Sequence, residues 1–510
     1  MSLIDWYKGA KREMASPPRM TSFSFLPQRH ERERGRTGQG TPHPAPSGAR
    51  GVCGTRVDGG WGESYKGRNL VRWDGGVDPA LWLYNLATGA AGGLLPAAWL
   101  GLGLAGRWAE VRPRLGPFTE LAAARPGPRV WLQAVSVGEV AVARAVADEL
   151  ASLAPQVRLT VTSTTAKGLE AARRTLGERA AVAAFPLDLP WAAWSAVRRI
   201  RPRVYASLET EIWPGLLSAL ERAGAACLML NGRLSPRSFP RYRKARPLVK
   251  AALKRFAALS MITEADAQRI IALGADARRV RVDGNAKYAG LLERARPADL
   301  PELASLLALG DSPLLAAGSA RSGEELPVLT AFAAVLERHP AAVLAVAPRH
   351  VERAGRWIEA CQGLGLAAQR FSGLEPDAPR RPETRVVVVD VMGRLMALYG
   401  LARAAFLGAS LVPLGGQNPM EPAAWGLPCL WGPSMEDFTD AAQALGEAGA
   451  GGRVAGAAEL ARAWREVLDQ PEAARARGAR GREVVARWSG AAGAAAELIL
   501  AHLDRQGALK

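Results

Sequence analysis

The stretch Arg129–Leu150, RVWLQAVSVGEVAVARAVADEL, changes its period half-way along. Residues 129–136 form an apolar, β-branched run of strand length, and from Val140 the apolar positions recur as on one face of a helix. A strand feeding a helix through a short turn is one βα unit, and the pattern repeats down the chain. VRLTVTST (157–164), AAVAAFPL (180–187), RVYASLE (203–209), CLMLN (227–231), LSMIT (259–263) and VRVDG (280–284) read as further strands between Ala- and Arg-rich helical stretches. After the Pro-containing stretch ARPADLPELASLLALGDSP (295–313) a second series begins. Its members are LLAAGS (314–319), AVLAVAPR (342–349), RVVVVDV (385–391), AAFLGAS (404–410), PCLWG (428–432) and GGRVA (451–455). The expected fold class is therefore α/β, with two Rossmann-like domains at 108–292 and 293–510. Such sheets bind ligands outside the carboxyl ends of their strands, so functional residues are expected just after these runs.

Upstream, residues 1–78 are rich in Arg, Pro, Gly and Ser without a period of 3.6 or 2, which reads as a disordered leader or as sequence ahead of the true start. It lacks the apolar core and cleavage site of a secretory signal. The segment 79–107 opens with 28 uncharged residues, Pro79 to Gly106, enough for a membrane helix of about 20 residues. Arg107, Arg112 and Arg114 follow, as in a cytoplasmic juxtamembrane segment. Two readings stand: a membrane anchor, spanning or lying in the interface, and a Gly-rich helix buried in the next domain.

The chain has 66 Lys plus Arg against 48 Asp plus Glu, a net charge of +18 that favours anionic partners. A high-GC coding sequence enriches Arg, Ala and Gly and contributes to the same excess. Nucleic acid is not an expected partner, because no RNP-like, zinc or helix-turn-helix signature accompanies the charge. Cys53, Cys227, Cys361 and Cys429 lie too far apart for CxxC spacing, and only five histidines are present, so neither a disulfide framework nor a metal centre is indicated.

Several places after strands carry candidate chemistry. Ser136-Val137-Gly138-Glu139 is a capping box at a helix start, or it sets Glu139 as a general base in a cleft. Thr160–Thr165 offers hydroxyls that suit an anion or sugar, or local caps. Glu209 and Glu211 point the same way if their strand continues, and their repulsion then raises one pKa. Asn231-Gly232-Arg233 opens onto Arg237, Arg241, Arg243, Lys244 and Arg246, a phosphate-matching cluster or a solvated basic face. Lys287, in Gly284-Asn285-Ala286-Lys287-Tyr288, stands where it can neutralise a leaving phosphate. In the second series, Pro348-Arg349, Val391-Met392-Gly393 and Gly415-Gly416-Gln417-Asn418-Pro419-Met420-Glu421 follow strands. The Gly-Gly turn offers N–H groups to a phosphate and Glu421 offers its carboxylate to ribose hydroxyls.

Taken in order, AVSVGEV (134–140), FPLDLP (185–190), LETEIWP (208–214), LNGRLSPRS (230–238), GNAKY (284–288), AAGSARSGEE (316–325), APRHVER (347–353), VMGRLMALYG (391–400) and GASLVPLGGQNPMEPAAWGLPCLWGP (408–433) resemble the 3-deoxy-manno-octulosonic acid (Kdo) transferase family over roughly residues 80 to 500. The resemblance implies a GT-B glycosyltransferase fold, two Rossmann-like domains facing across a cleft. It implies inverting transfer of Kdo from CMP-Kdo to a lipid A precursor in lipopolysaccharide biosynthesis, without a metal or other cofactor, at the cytoplasmic face of the inner membrane. By the same resemblance Glu139 is the general base, Glu209 and Lys287 assist at the transition state, and Pro348, Arg349, Met392, Gly393, Arg394, Asn418, Pro419, Met420 and Glu421 bind the CMP part of the donor. The family's Met-Gly-Glu reads Met392-Gly393-Arg394 here, and its frequent His before Asn-Pro is Gln417. Competing readings are a sugar-nucleotide epimerase of the same fold, a basic nucleic-acid-binding protein and a membrane scaffold without catalysis.

Overall fold

The computed structural model describes residues 78–93, 108–118, 121, 126–296 and 300–507. The leader, except its last residue, and the second half of the 79–107 segment lie outside the described residues. Strands β1 (Arg129–Ala134), β2 (Arg158–Ser163), β3 (Ala180–Ala184), β4 (Val204–Leu208), β5 (Ala226–Gly232), β6 (Phe256–Met261) and β7 (Val280–Val282) form one sheet in the order β3-β2-β1-β4-β5-β6-β7. Strands β8 (Leu314–Ala320), β9 (Val343–Pro348), β10 (Ala368–Arg370), β11 (Val386–Val388), β12 (Ala402–Leu407), β13 (Cys429–Trp431) and β14 (Gly451–Arg453) form the other, in the order β10-β11-β9-β8-β12-β13-β14. All pairings within both sheets are parallel.

All thirteen sequence-read strands are present. The one missed, β10, is a three-residue edge strand reading AQR, too short and polar to show a period. Parallel strands covered on both faces explain the near-continuous apolar runs: all five residues of β4 and all six of β9 are buried.

The division at 292/293 separates the sheets but not every helix. The last helix, Ala491–Arg505, returns to the first sheet, where Ala492, Ala496, Ile499 and Leu503 share one core with Val130, Leu132 and Val146. Its small, apolar face is a local property that does not name the sheet it covers.

The apolar segment after the leader begins as helix α1 (Pro79–Gly93), and β1 is followed by α2 (Val137–Leu153). Helix α1 packs against α3 (Pro190–Ile200), α4 (Pro214–Arg222) and α5 (Arg246–Leu253). Leu81 is buried and Tyr84 donates to Asp188 Oδ2 at 2.8 Å, while Trp82, Leu83 and Leu86 face outward. The described part is thus docked on the first half and keeps one apolar face exposed. At 15 residues it is about 22 Å long, short of a bilayer core of about 30 Å. The one described helical stretch long and apolar enough to cross a membrane is Pro471–Arg505, and half of its apolar window is buried inside the protein, as in a core helix.

Asp188 holds α1 and α4 together. Its carboxylate also accepts from the backbone N–H groups of Gly215 and Leu216 at 3.0 and 2.6 Å, two of the orphan donors at the start of α4. Burial pushes this carboxyl above the usual range and these donors pull it back. Replacing it leaves buried amides without an acceptor. Asp188→Ala is expected to lower unfolding stability by about 3 kcal/mol and Tyr84→Phe by about 1 kcal/mol, read by urea denaturation.

Candidate active site

The strand order reverses between β1 and β4 in the first sheet and, in the second, whose far edge also carries β10 outside β11, between β8 and β12. There the connections on either side leave in opposite directions and open a crevice. Glu139 and Glu209 stand beyond the carboxyl ends of β1 and β4, so the first crevice is framed by two carboxylates.

Glu139 lies in the first turn of α2 and is buried. Its Oε2 accepts from the Val135 N–H and its Oε1 from the Ser136 hydroxyl at 3.0 Å. The Ser136 hydroxyl caps no backbone N–H of the helix and donates to Glu139 instead, while the carboxylate accepts from the N–H one residue ahead of the cap, so the arrangement departs from the expected box. An ionised carboxylate offers about four acceptor sites, enough to hold its turn and to meet a substrate hydroxyl as well. Gly138 and Val142 reach the cleft described next, and Glu139 lies beside it.

Glu209 behaves differently from the extended-strand expectation. Strand β4 ends at Leu208, and Glu209 takes a left-handed φ of 62°, which breaks the two-residue alternation. The two carboxylates therefore part: Glu211 accepts from the Trp213 indole N–H at 2.8 Å and neighbours the half-buried Arg114, whereas Glu209 turns into a cleft of about 520 Å³, open to solvent. There Glu209, Arg233, Asn285 and Lys287 of the first half face Asp437, Phe438 and Asp440 of the second. The Arg233 guanidinium meets Asp440 at 2.8 Å, and Lys287 Nζ lies 5.3 Å from the centre of the Phe438 ring. Burial pushes the Glu209 carboxyl up, Arg233 and Lys287 pull it back, and Asp440 adds to the rise.

Asp437, Phe438 and Asp440 were not singled out by sequence reasoning. They follow β13 by a few residues, and the rule that ligand sites lie beyond strand carboxyl ends is the signal that points to them. The hydroxyls of Thr162, Ser163, Thr164 and Thr165 all have partners within the protein. Thr165 caps Gly168 N at 3.1 Å, Ser163 and Thr165 donate to the Val135 carbonyl, and Thr162 and Thr164 bond Gln133. Only the Thr165 bond to Gly168 N is a local cap; the others tie the end of β2 to the end of β1. The basic residues Arg237, Arg243, Lys244 and Arg246 are exposed, on the stretch leading into α5.

In the second half, Pro348 lines a small pocket of about 180 Å³ with Arg321, Ser322, His350 and Arg353. Arg349 is exposed, its N–H held by the Ala320 carbonyl at 2.9 Å. Met392 is 71% exposed, Gly393 has a left-handed φ of 86°, and Arg394 stands at the start of the helix Leu395–Leu401. Asn418 Oδ1 accepts from Met420 N at 3.1 Å and its Nδ2 donates to Glu421 Oε1 at 3.2 Å, with Pro419 and Met420 buried beneath. Gly415 and Gly416 both take left-handed φ, as a Gly-Gly turn allows. Their N–H groups do not face outward for a phosphate: that of Gly415 bonds Ser434 Oγ at 2.8 Å and that of Gly416 the Ala409 carbonyl at 2.9 Å. Among the described residues no group of three or more His, Cys, Asp or Glu can hold a metal ion.

A family model described as 3-Deoxy-D-manno-octulosonic-acid transferase (kdotransferase) matches residues 109–290. The 3-deoxy-D-manno-octulosonic acid transferase of Bordetella pertussis is 32% identical over 380 residues, 70% of this chain and 85% of that protein. The chain belongs to the Kdo transferase family. It is 29% identical over 318 residues to a bifunctional glycosyltransferase/methyltransferase of Fusobacterium nucleatum, of which it spans about half, 49%, while 62% of this chain is matched. Among solved structures, it is similar to the C-terminal CMP-Kdo binding domain of WaaA from Acinetobacter baumannii, at 28% identity and a TM-score of 0.34, over 38% of this chain and 98% of that one. This Kdo transferase family member is thus a glycosyltransferase, and its site is read as one below.

The raised Glu209 carboxyl has a measurable consequence. Between its usual 4.5 and its higher folded value the native state binds a proton that the unfolded state releases, so this group's contribution to stability falls as pH rises through that window. Glu209→Gln removes the fall. Thermal unfolding of both proteins from about pH 4.5 to 8 is expected to show the difference moving in the variant's favour as pH rises.

Proposed function

We propose that this enzyme transfers Kdo from CMP-Kdo to the glucosamine disaccharide of a lipid A precursor, inverting the anomeric centre, at the cytoplasmic face of the inner membrane. Family membership supports Kdo as the transferred sugar. The observation that carries the reading is the position of Glu139 and Glu209 at the strand-order reversal of the first sheet, beside a cleft whose far wall belongs to the second half.

In this mechanism the acceptor hydroxyl oxygen forms a bond to the anomeric carbon as the bond from that carbon to the CMP phosphate oxygen breaks. The hydroxyl proton passes to Glu139, and the electron pair leaves with CMP. One carboxylate suffices, because a phosphate departs without protonation. Lys287 and Arg349 supply positive charge for the leaving phosphate, and Asn418 to Glu421 receive the nucleoside. No metal takes part in this scheme. Membrane contact is assigned to the outward face of α1, with Trp82, Leu83 and Leu86, together with exposed Trp191 and Trp194 on α3 and the basic residues leading into α5.

A second assignment of the base is favoured by one observation: Glu209, not Glu139, lines the cleft and has the raised carboxyl. Glutamine substitutions separate the two. In Glu139→Gln the amide keeps an acceptor for Val135 N and presents a donor to the Ser136 hydroxyl, so the cap survives while proton acceptance does not. Glu139→Gln is expected to unfold within about 2 °C of wild type and to transfer Kdo about 10²–10³-fold more slowly, measured with detergent-solubilised protein, CMP-Kdo made in situ and mass spectrometry of the product. Near-normal transfer by Glu139→Gln with loss in Glu209→Gln would move the base to Glu209.

A further inference from the structure

The AAGSARSGEE segment ends β8 and places Glu324 just before the helix Glu325–Leu336, where its side chain is wholly buried. Its carboxylate accepts from four backbone N–H groups. Oε2 takes those of Arg321 and Ala409, both at 2.8 Å, and Oε1 takes those of Ser410 and Leu411, both at 3.0 Å. These donors come from two loops, one after β8 and one after β12, the neighbouring strands at which the second sheet reverses its order.

The loops meet under constraint. Ser319 and Ala409 hold left-handed φ of 53° and 59° without being glycine, and Gly408 N bonds the Gly318 carbonyl at 2.8 Å. A Cβ on Gly408 would stand 2.3 Å from the Ala320 Cα. Successive N–H groups of 409–411 converge into an anion-binding concavity. At a ligand-binding crevice the expected occupant is a ligand's anionic group; here the protein's own carboxylate fills it.

Both walls of the donor crevice hang from this point. On one side the Arg321 backbone is fixed, and its guanidinium meets His350 Nε2 at 2.7 Å while Arg353 donates to the Ser322 hydroxyl. On the other, the Ala409 carbonyl holds Gly416 N at 2.9 Å and the Ser410 hydroxyl holds Gly432 N at 2.7 Å, bracketing the loop that carries Asn418 and Glu421.

We propose that Glu324 is a positioning residue for the donor, an internal anion that sets the spacing between the Arg321–Arg353 wall and the Gly415–Glu421 wall on either side of the CMP moiety. The proposal rests on the reading that the second half binds CMP-Kdo. It places the ligand phosphate against these walls and outside the 409–411 concavity.

Calorimetric titration of the full-length protein with CMP tests it, alongside KM for both substrates. Glu324→Gln turns an amide –NH₂ toward two of the four N–H groups, and CMP Kd and KM for CMP-Kdo are expected to rise at least tenfold, with KM for the acceptor within twofold. In Glu324→Ala, acetate is expected to restore CMP affinity at least threefold where chloride at equal ionic strength does not. Should both variants fail to fold, Ser410→Ala keeps the carboxylate and removes the Gly432 link together with the hydroxyl's own bond to the Leu407 carbonyl; a threefold or greater rise in CMP Kd is expected. Unchanged CMP affinity in a folded variant, or equal rises in both KM values, overturns the proposal. Absence of CMP binding by the wild-type protein instead overturns the underlying donor reading.

Discussion

Every strand in both sheets runs parallel to its neighbours, and this one constraint arranges the rest. A parallel strand is followed by a crossover, so all strands of a sheet end on the same edge and all their following turns gather there. Where the order reverses, between β1 and β4 and between β8 and β12, the turns separate and leave a crevice. Glu139 and Glu209 reach the first crevice because β1 and β4 are neighbours in space, although the two residues are far apart in sequence. The loops after β8 and β12 meet at the second for the same reason.

Crowding so many chain turns along one edge leaves backbone donors without partners, and buried carboxylates collect them. Asp188 takes two N–H groups at the head of α4, Glu139 one at the head of α2, and Glu324 four from two loops. Burial disfavours the charge on Asp188 and Glu324, and the converging amides offset part of that by donating to the ionised form. Glu139 therefore has two duties in the family's chemistry as proposed: it shapes its turn and it stands next to the cleft. Function and local structure draw on one side chain, which is why a capping motif and a catalytic motif look alike at this position.

The two halves are joined as well as opposed. Arg233 from the β5 turn pairs with Asp440, Lys287 lies over Phe438, and the last helix crosses back onto the first core. Opposite charges thus meet in a cleft that, in the reading proposed above, receives an acidic sugar and a phosphate. The mixture of Arg233, Lys287, Glu209 and Asp440 keeps any one group from dominating the field, and it makes the Glu209 carboxyl sensitive to both walls.

Periodicity alone determined the α/β class, thirteen of the strands and the two-sheet plan, because strand and helix periods are local properties that burial on both faces makes strong. Motif order determined the family, since AVSVGEV, LETEIWP, GNAKY and QNPMEP each follow or end a strand where ligand chemistry belongs. Tertiary structure alone decided which of these residues meet. The left-handed turn at Glu209 sent it and Glu211 to different surroundings, the Gly415 and Gly416 amides found internal acceptors, and Ala491–Arg505 chose the first sheet over the second. Those outcomes depend on contacts between segments far apart along the chain. A local pattern states what a segment can form and which face it hides; the partner that covers the face is set only when the whole chain has packed.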